Sequence, residues 1–190
     1  MRNGLKIYNL NSKISEHAGK KALGIYKSWH KLKMLQKVCL NMQGNMRDDH
    51  FNTNVRGGFF CAQAVAPKMI ERGFGRVVFI SSQSGLIGIP GQPVYCASKG
   101  AIINLVRTLG VEWAKHGITV NSVAPTFVET NPTRARLQQP DFRAFVLGKI
   151  PKGELATPED IAHAVVYLAS DEAGMVNCAT LPVDGGWTAW

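Results

Sequence analysis

A tyrosine and a lysine four residues apart, in Tyr95-Cys96-Ala97-Ser98-Lys99, form the chain's strongest chemical signal. On a helix, positions i and i+4 share a face, so the ammonium can lie beside the phenol. A neighbouring cation, joined by any further positive charge bound beside it, favours phenolate and lowers a pKa that is ordinarily about 10. A phenol tuned in this way can pass a proton to or from a carbinol oxygen near neutral pH. By itself the pair also fits a solvated helix surface. Thirteen residues upstream, Ser82 stands in Ile80-Ser81-Ser82-Gln83-Ser84-Gly85. There a hydroxyl can donate to a substrate oxygen on which negative charge develops. Asn54, in Asn52-Thr53-Asn54-Val55-Arg56-Gly57-Gly58-Phe59, opens the preceding helix, where its plainest role is an N-cap worth about 1 kcal/mol.

These residues need a scaffold that brings them together. The pattern predicts a helix over 55–72 stopped by Gly73 and Gly75, then a strand over 76–81 whose Val77-Val78-Phe79-Ile80 run suits burial on both faces. Ser82 then falls at the carboxyl end of a buried strand, where open parallel sheets place their ligands. A loop rich in Gly, Ser and Pro runs to Pro93. The longest helix, 95–115, carries Ile102, Leu105, Leu109 and Trp113 on one stripe and stops at Gly117. A second strand covers 118–123, and 125–150 reads as a long polar connection with the spacing of a lid. Thr157-Pro158-Glu159-Asp160 opens another helix with a good cap, a first-turn proline and acids at the positive end. Leu181-Pro182-Val183 is a last short strand. Strands alternating with helices imply parallel β-α-β units.

Charge divides the chain. Residues 1–47 hold ten of the 22 Lys and Arg against one acid, Glu16, so the whole net charge of +9 lies there, while 48–190 balance twelve against twelve. In 14–42, Leu23, Tyr26, Trp29, Leu32, Leu35, Cys39 and Met42 recur at helical steps, predicting a basic amphipathic helix. A solvated or packed face explains such a run better than nucleic-acid or membrane binding, and no recognised binding motif accompanies it. Cys39, Cys61, Cys96 and Cys178 stand too far apart for a metal site or disulfide framework, so free thiols and no metal are expected. No apolar run approaches the ~20 residues of a membrane span, and the start lacks a secretory stretch; the expectation is a soluble, cytoplasmic protein.

Taken in order, N-x-x-G-x-F from Asn54, I-S-S-x-x-G around Ser82 and Y-x-A-S-K from Tyr95 to Lys99 resemble the short-chain dehydrogenase/reductase family. The resemblance continues through Ile118-Thr119-Val120-Asn121-Ser122-Val123-Ala124-Pro125, Pro158-Glu159-Asp160-Ile161-Ala162 and Val183-Asp184-Gly185-Gly186-Trp187. It implies an α/β, Rossmann-like doubly wound parallel sheet and an oxidoreductase that interconverts an alcohol and a ketone using NAD or NADP. It further implies Tyr95 as general acid/base, Ser82 as the group polarising the substrate oxygen, and Lys99 as both a modulator of the phenol and a holder of the nicotinamide ribose. Asn54 would keep a water in the relay behind the lysine. Pro125, Val128 and Thr130 match the segment that meets the nicotinamide carboxamide. A homodimer or homotetramer acting on a small alcohol or ketone, with the tail resembling members that use sugar alcohols or sugar acids, completes the implication.

The chain departs from the pattern in three places. Pro125-Thr126 replaces Pro-Gly, and Asn177-Cys178 replaces Thr-Gly, a change that Asn's tolerance of unusual backbone angles would soften. The N-terminal β-α-β half, with its T-G-x-x-x-G-x-G pyrophosphate turn and the residues that separate NAD from NADP, is not recognisable. Gly19 and Gly24 have the wrong spacing for that turn. The expected organisation is therefore a basic segment, 1–47, without family resemblance, joined to the catalytic and C-terminal part of the domain, 48–190. The alternative is a catalytically silent fragment or partner-binding protein, and the DNA upstream of codon 48 distinguishes a native segment from a frameshift or misplaced start.

Overall fold

The computed structural model describes residues 46–189, so the basic helix expected over 14–42 lies outside the described residues. The first described element is a short helix, α1 (Met46–His50), which runs through a π-helical turn (Phe51–Arg56) into α2 (Gly57–Arg72). His50 and Arg56 both keep right-handed helical angles, and the Gly57 N–H reaches back to Asn52. The expectation that Asn54 caps a helix start is therefore corrected. Asn54 lies inside a continuous helical run, widened locally by the π turn. Gly73 ends α2 with φ +61°, the left-handed conformation that glycine takes without steric cost.

Strand β1 (Gly75–Ile80) is buried along its whole length, as its apolar run requires. It leads through a short 3-10 turn at 83–85 and a loop to α3 (Pro93–Trp113), whose proline occupies the first turn. Gly117, at φ +72°, closes that helix and starts β2 (Ile118–Pro125). After two further helices comes α6 (Pro158–Ala169), which Thr157 caps as expected, with Asp160 completing a reciprocal pair: Asp160 N–H donates to Thr157 Oγ1 at 3.2 Å and Thr157 N–H to Asp160 Oδ2 at 2.8 Å. Strand β3 (Thr180–Val183) follows.

The three strands form a parallel sheet in the order β1-β2-β3, with Val77 opposite Val120 and Val123 opposite Leu181. Alternation along β1 sends Val77 and Phe79 to one face and Val78 and Ile80 to the other. The first face packs on α2 and α3 through Ala62, Met69, Ile102, Val106 and Leu109. The second packs on α6 through Ile161, Ala164, Val165 and Leu168. Each fully buried Val, Ile, Leu or Phe contributes about 1.5–3 kcal/mol, so both faces must be covered for the sheet to persist. Helices on both faces of a parallel sheet are the doubly wound α/β arrangement.

The polar lid expected over 125–150 is corrected. It contains α4 (Asn131–Leu137) and α5 (Pro140–Lys149), each with a proline in its first turn. These short helices have their own apolar anchor. Leu137, Val146 and Ile150 are buried with Trp187, and Phe127 and Phe142 pack against them. The tail is held by Asp184, which accepts from Gly186 N–H at 2.9 Å, Thr188 N–H at 2.9 Å and Thr188 Oγ1 at 2.6 Å.

Near the C-terminus, Cys178 has φ +60°, where the resembling pattern has glycine, while Asn177 uses its amide instead. Its Oδ1 accepts from Val120 N–H at 2.9 Å, and its Nδ2 donates to the Gly110 carbonyl at 2.9 Å. The backbone cost thus falls on the cysteine, which has a Cβ to accommodate, rather than on the more tolerant Asn.

Candidate active site

Tyr95 and Lys99 lie one turn apart near the start of α3, and the carboxyl end of β1 delivers Ser82 to them. Lys99, only 5% exposed, donates through Nζ to the Ile80 carbonyl at 3.0 Å, and Nζ lies 5.6 Å from the Tyr95 ring centroid. Ser81 Oγ donates to the Lys99 carbonyl at 3.1 Å, which ties strand and helix together from the other direction. Gly85 permits this approach: a Cβ there would stand 2.7 Å from the Lys99 carbonyl carbon. Ser82 Oγ accepts from Ser84 N–H at 3.1 Å and lies near enough to the Tyr95 hydroxyl to favour its ionised form.

Asn54 also reaches this cluster. Its Nδ2 donates to Ser98 Oγ at 3.2 Å, and Ser98 Oγ donates to the Tyr95 carbonyl at 2.8 Å. Ser82, Tyr95 and Lys99 therefore lie together, and Asn54 reaches the same helix turn through Ser98, a connector that the sequence reading passed over although it lies inside the Y-x-A-S-K motif.

Burial dominates the electrostatics. It raises the Tyr95 phenol above its ordinary pKa, with the Ser82 hydrogen bond pulling the other way. It also lowers the Lys99 ammonium from 10.5 to about 8. Desolvation penalises whichever form is charged, so acid and base move in opposite directions.

The second group of expected residues occupies the end of β2 and the segment that follows it. Pro125 is the last residue of that strand, Val128 bridges in parallel to Ala156, and Thr130 caps α4. Thr130 N–H donates to Thr133 Oγ1 at 2.9 Å, and Thr133 Oγ1 donates to the Val128 carbonyl at 2.6 Å. That carbonyl keeps a second lone pair for another donor. Beside it, Thr126 Oγ1 is buried and has no hydrogen-bond partner among the described residues.

This donor and acceptor set fits the nicotinamide and ribose end of a dinucleotide. Lys99 has three N–H donors and spends one on Ile80, leaving two for ribose hydroxyls. The Thr126 hydroxyl and the Val128 carbonyl suit a carboxamide, which both donates and accepts.

A cavity of about 420 Å³ opens beside Tyr95. His50, Gln92, Pro93, Val94 and Arg136 share its lining, and the His50 ring meets the Tyr95 ring edge-on with centroids 5.7 Å apart. Neither His50 nor Arg136 belongs to a local motif, so their presence here is a product of the fold. Among the described residues, no group of His, Cys, Asp or Glu could hold a metal ion, and Cys96 and Cys178 are free thiols. No helix among them is long and apolar enough to cross a membrane.

Comparison with known proteins places this arrangement. The family model described as Enoyl-(Acyl carrier protein) reductase matches residues 16–188. Over 136 residues the chain is 43% identical to the 2-(R)-hydroxypropyl-CoM dehydrogenase of Xanthobacter autotrophicus, covering 72% of this chain and 54% of that protein. Over 149 residues it is 41% identical to the 3-oxoacyl-[acyl-carrier-protein] reductase of Rickettsia conorii, covering 78% of this chain and 61% of that one. A gluconate 5-dehydrogenase from Burkholderia cenocepacia, solved in complex with NADP and tartrate, superposes with a TM-score of 0.75 at 31% identity, over 97% of this chain and 65% of that one. The chain thus spans a little over half the length of the curated relatives it matches. On this evidence the chain belongs to the short-chain dehydrogenase/reductase family.

Proposed function

We propose that this chain carries the catalytic and substrate-handling part, residues 48–190, of an NAD(P)-dependent oxidoreductase that interconverts an alcohol and a ketone. The observation that carries the reading is the pairing of the Tyr95 and Ser82 hydroxyls beside a cavity, with the buried Lys99 ammonium behind the phenol. A substrate oxygen in that cavity meets the Tyr95 hydroxyl, with Ser82 next to that hydroxyl. In oxidation, Tyr95 takes the carbinol proton while Ser82 holds the oxygen in place; in reduction, Tyr95 returns a proton to the forming alkoxide. Lys99 holds the ribose and places positive charge behind the phenol, and the Asn54–Ser98 contact steadies the first turn of α3. Pro125, Val128 and Thr130, with Thr126, receive the carboxamide. When bound, the nicotinamide supplies the hydride donor or acceptor and, in its oxidised form, the cationic charge that offsets the burial raising Tyr95.

Sugar-acid substrates in the names of relatives support a polyhydroxylated substrate, and NADP in the Burkholderia structure supports a nicotinamide cofactor. Phe60 on α2 and Val111 on α3, 45% and 73% exposed, support association of those helices with another copy in a homodimer or homotetramer. The decisive test is Tyr95→Phe in a full-length version of the domain. Folding is expected to be unchanged and turnover to fall by at least ~10²-fold. Near-full turnover would exclude Tyr95 as the acid/base.

A further inference from the structure

The cavity beside Tyr95 has a cationic wall. Arg136, on α4, lines it together with Tyr95 and His50; no carboxylate among the described residues does. Among the described residues Arg136 has no acidic partner within ion-pair distance, whereas its neighbours Arg134 and Arg143 share Glu129 at 3.6 and 3.8 Å. The local acid is therefore taken, and the guanidinium facing the cavity is left to something else.

Arg136 is also held in place. Its guanidinium carbon stands 4.0 Å from the Phe142 ring centroid. Phe142 meets Phe127 edge-on at 5.5 Å, and Phe127 stacks on the buried Trp187 at 5.8 Å. This aromatic series anchors the arginine to the apolar cluster beneath α4 and α5, while its N–H groups have no hydrogen-bond partner among the described residues. A planar guanidinium fixed by stacking loses little freedom on forming two parallel hydrogen bonds, the geometry that suits a carboxylate. A cavity of this size accommodates a small polar molecule. Gln92, on the same lining, offers a neutral donor and acceptor to hydroxyl groups.

We infer that Arg136 is a specificity-determining residue that binds a carboxylate on the substrate, so that the chain's natural substrates are hydroxy or keto acids rather than neutral alcohols. The inference deepens the proposed oxidoreductase reading and rests on it for the fate of the bound molecule, but the binding preference itself is independent of hydride transfer. The reacting carbon sits at Tyr95 and Ser82, and the acid group at the α4 wall.

The test is calorimetric titration of the purified chain with D-gluconate and with its neutral counterpart D-glucitol, for wild type and for Arg136→Gln. The expected result is at least about tenfold tighter binding of gluconate by wild type, and loss of that margin in Arg136→Gln with glucitol binding unchanged. Equal binding of the two probes, binding of neither, or an Arg136→Gln variant that keeps the preference overturns the inference. The wild-type comparison needs no variant to fold. A carboxylate preference together with a Tyr95→Phe variant of full turnover would leave Arg136 in its role and remove the oxidoreductase mechanism. Loss of turnover in Tyr95→Phe with no carboxylate preference would do the reverse.

Discussion

Lys99 makes the site measurable without substrate. Its ammonium is buried behind Tyr95 and spends one donor on Ile80, and burial lowers its pKa from 10.5 to about 8. For a base with a lowered folded-state pKa, the unfolded chain holds the proton more tightly, so unfolding takes up a proton between the two values. The resulting penalty on the folded state is complete below about pH 8 and is relieved as pH rises towards 10.5. A difference of 2.5, from 10.5 to about 8, corresponds to about 3 kcal/mol in full. About 2 kcal/mol of it is recovered between roughly pH 7 and roughly pH 9.5. The Tyr95 phenol, whose pKa burial raises, titrates above that range and does not confuse it. The assay is urea unfolding at the two pH values for wild type and for Lys99→Met, which keeps most of the stem and removes the charge. Wild type is expected to gain about 2 kcal/mol relative to the variant over the range. Parallel pH dependences for the two proteins would refute the burial argument.

Three further outcomes follow from the same geometry. Gly85→Ala places a Cβ 2.8 Å from the Lys99 carbonyl oxygen, a backbone atom that cannot swing aside, so a loss of about 1–3 kcal/mol is expected; an unchanged Tm would contradict the close approach. Cys178→Gly removes a Cβ from a residue at φ +60° and is expected to stabilise by about 1 kcal/mol, read as a higher urea midpoint, with a lower midpoint counting against strain at that position. Calorimetry with NAD, NADH, NADP and NADPH is expected to give dissociation constants weaker than about 1 mM, because the residues proposed to meet the cofactor would hold only its nicotinamide and ribose; a micromolar value would show a cofactor site in the remainder of the chain.

Much of this protein was legible because its signals are local. The apolar run at 77–80, the stripe on α3 and the Thr157–Asp160 cap each depend on residues a few positions apart, and each forms where the pattern places it. The Tyr95–Lys99 pair is local in the same sense: a helical repeat alone puts both on one face. Other features depend on contacts between residues far apart in the chain. Asn54 meets Ser98 across 44 positions, which no spacing rule specifies. The segment 125–150 looked like a polar lid because the partners of its apolar residues, Trp187 above all, lie outside it. Local propensity cannot reveal a helix whose stability comes from tertiary packing. Arg136 reads as one more basic residue until α4 sets it on the wall of the Tyr95 cavity. Charge shows the same division. Spacing places a cation beside the phenol, whereas desolvation, a sum over every atom packed around the site, raises Tyr95 and lowers Lys99 in the chain alone. The sequence by itself determined which chemical groups are present and which short stretches become strand or helix; only the tertiary structure decided which groups are buried, and hence their charge, their partners and the cavity they share.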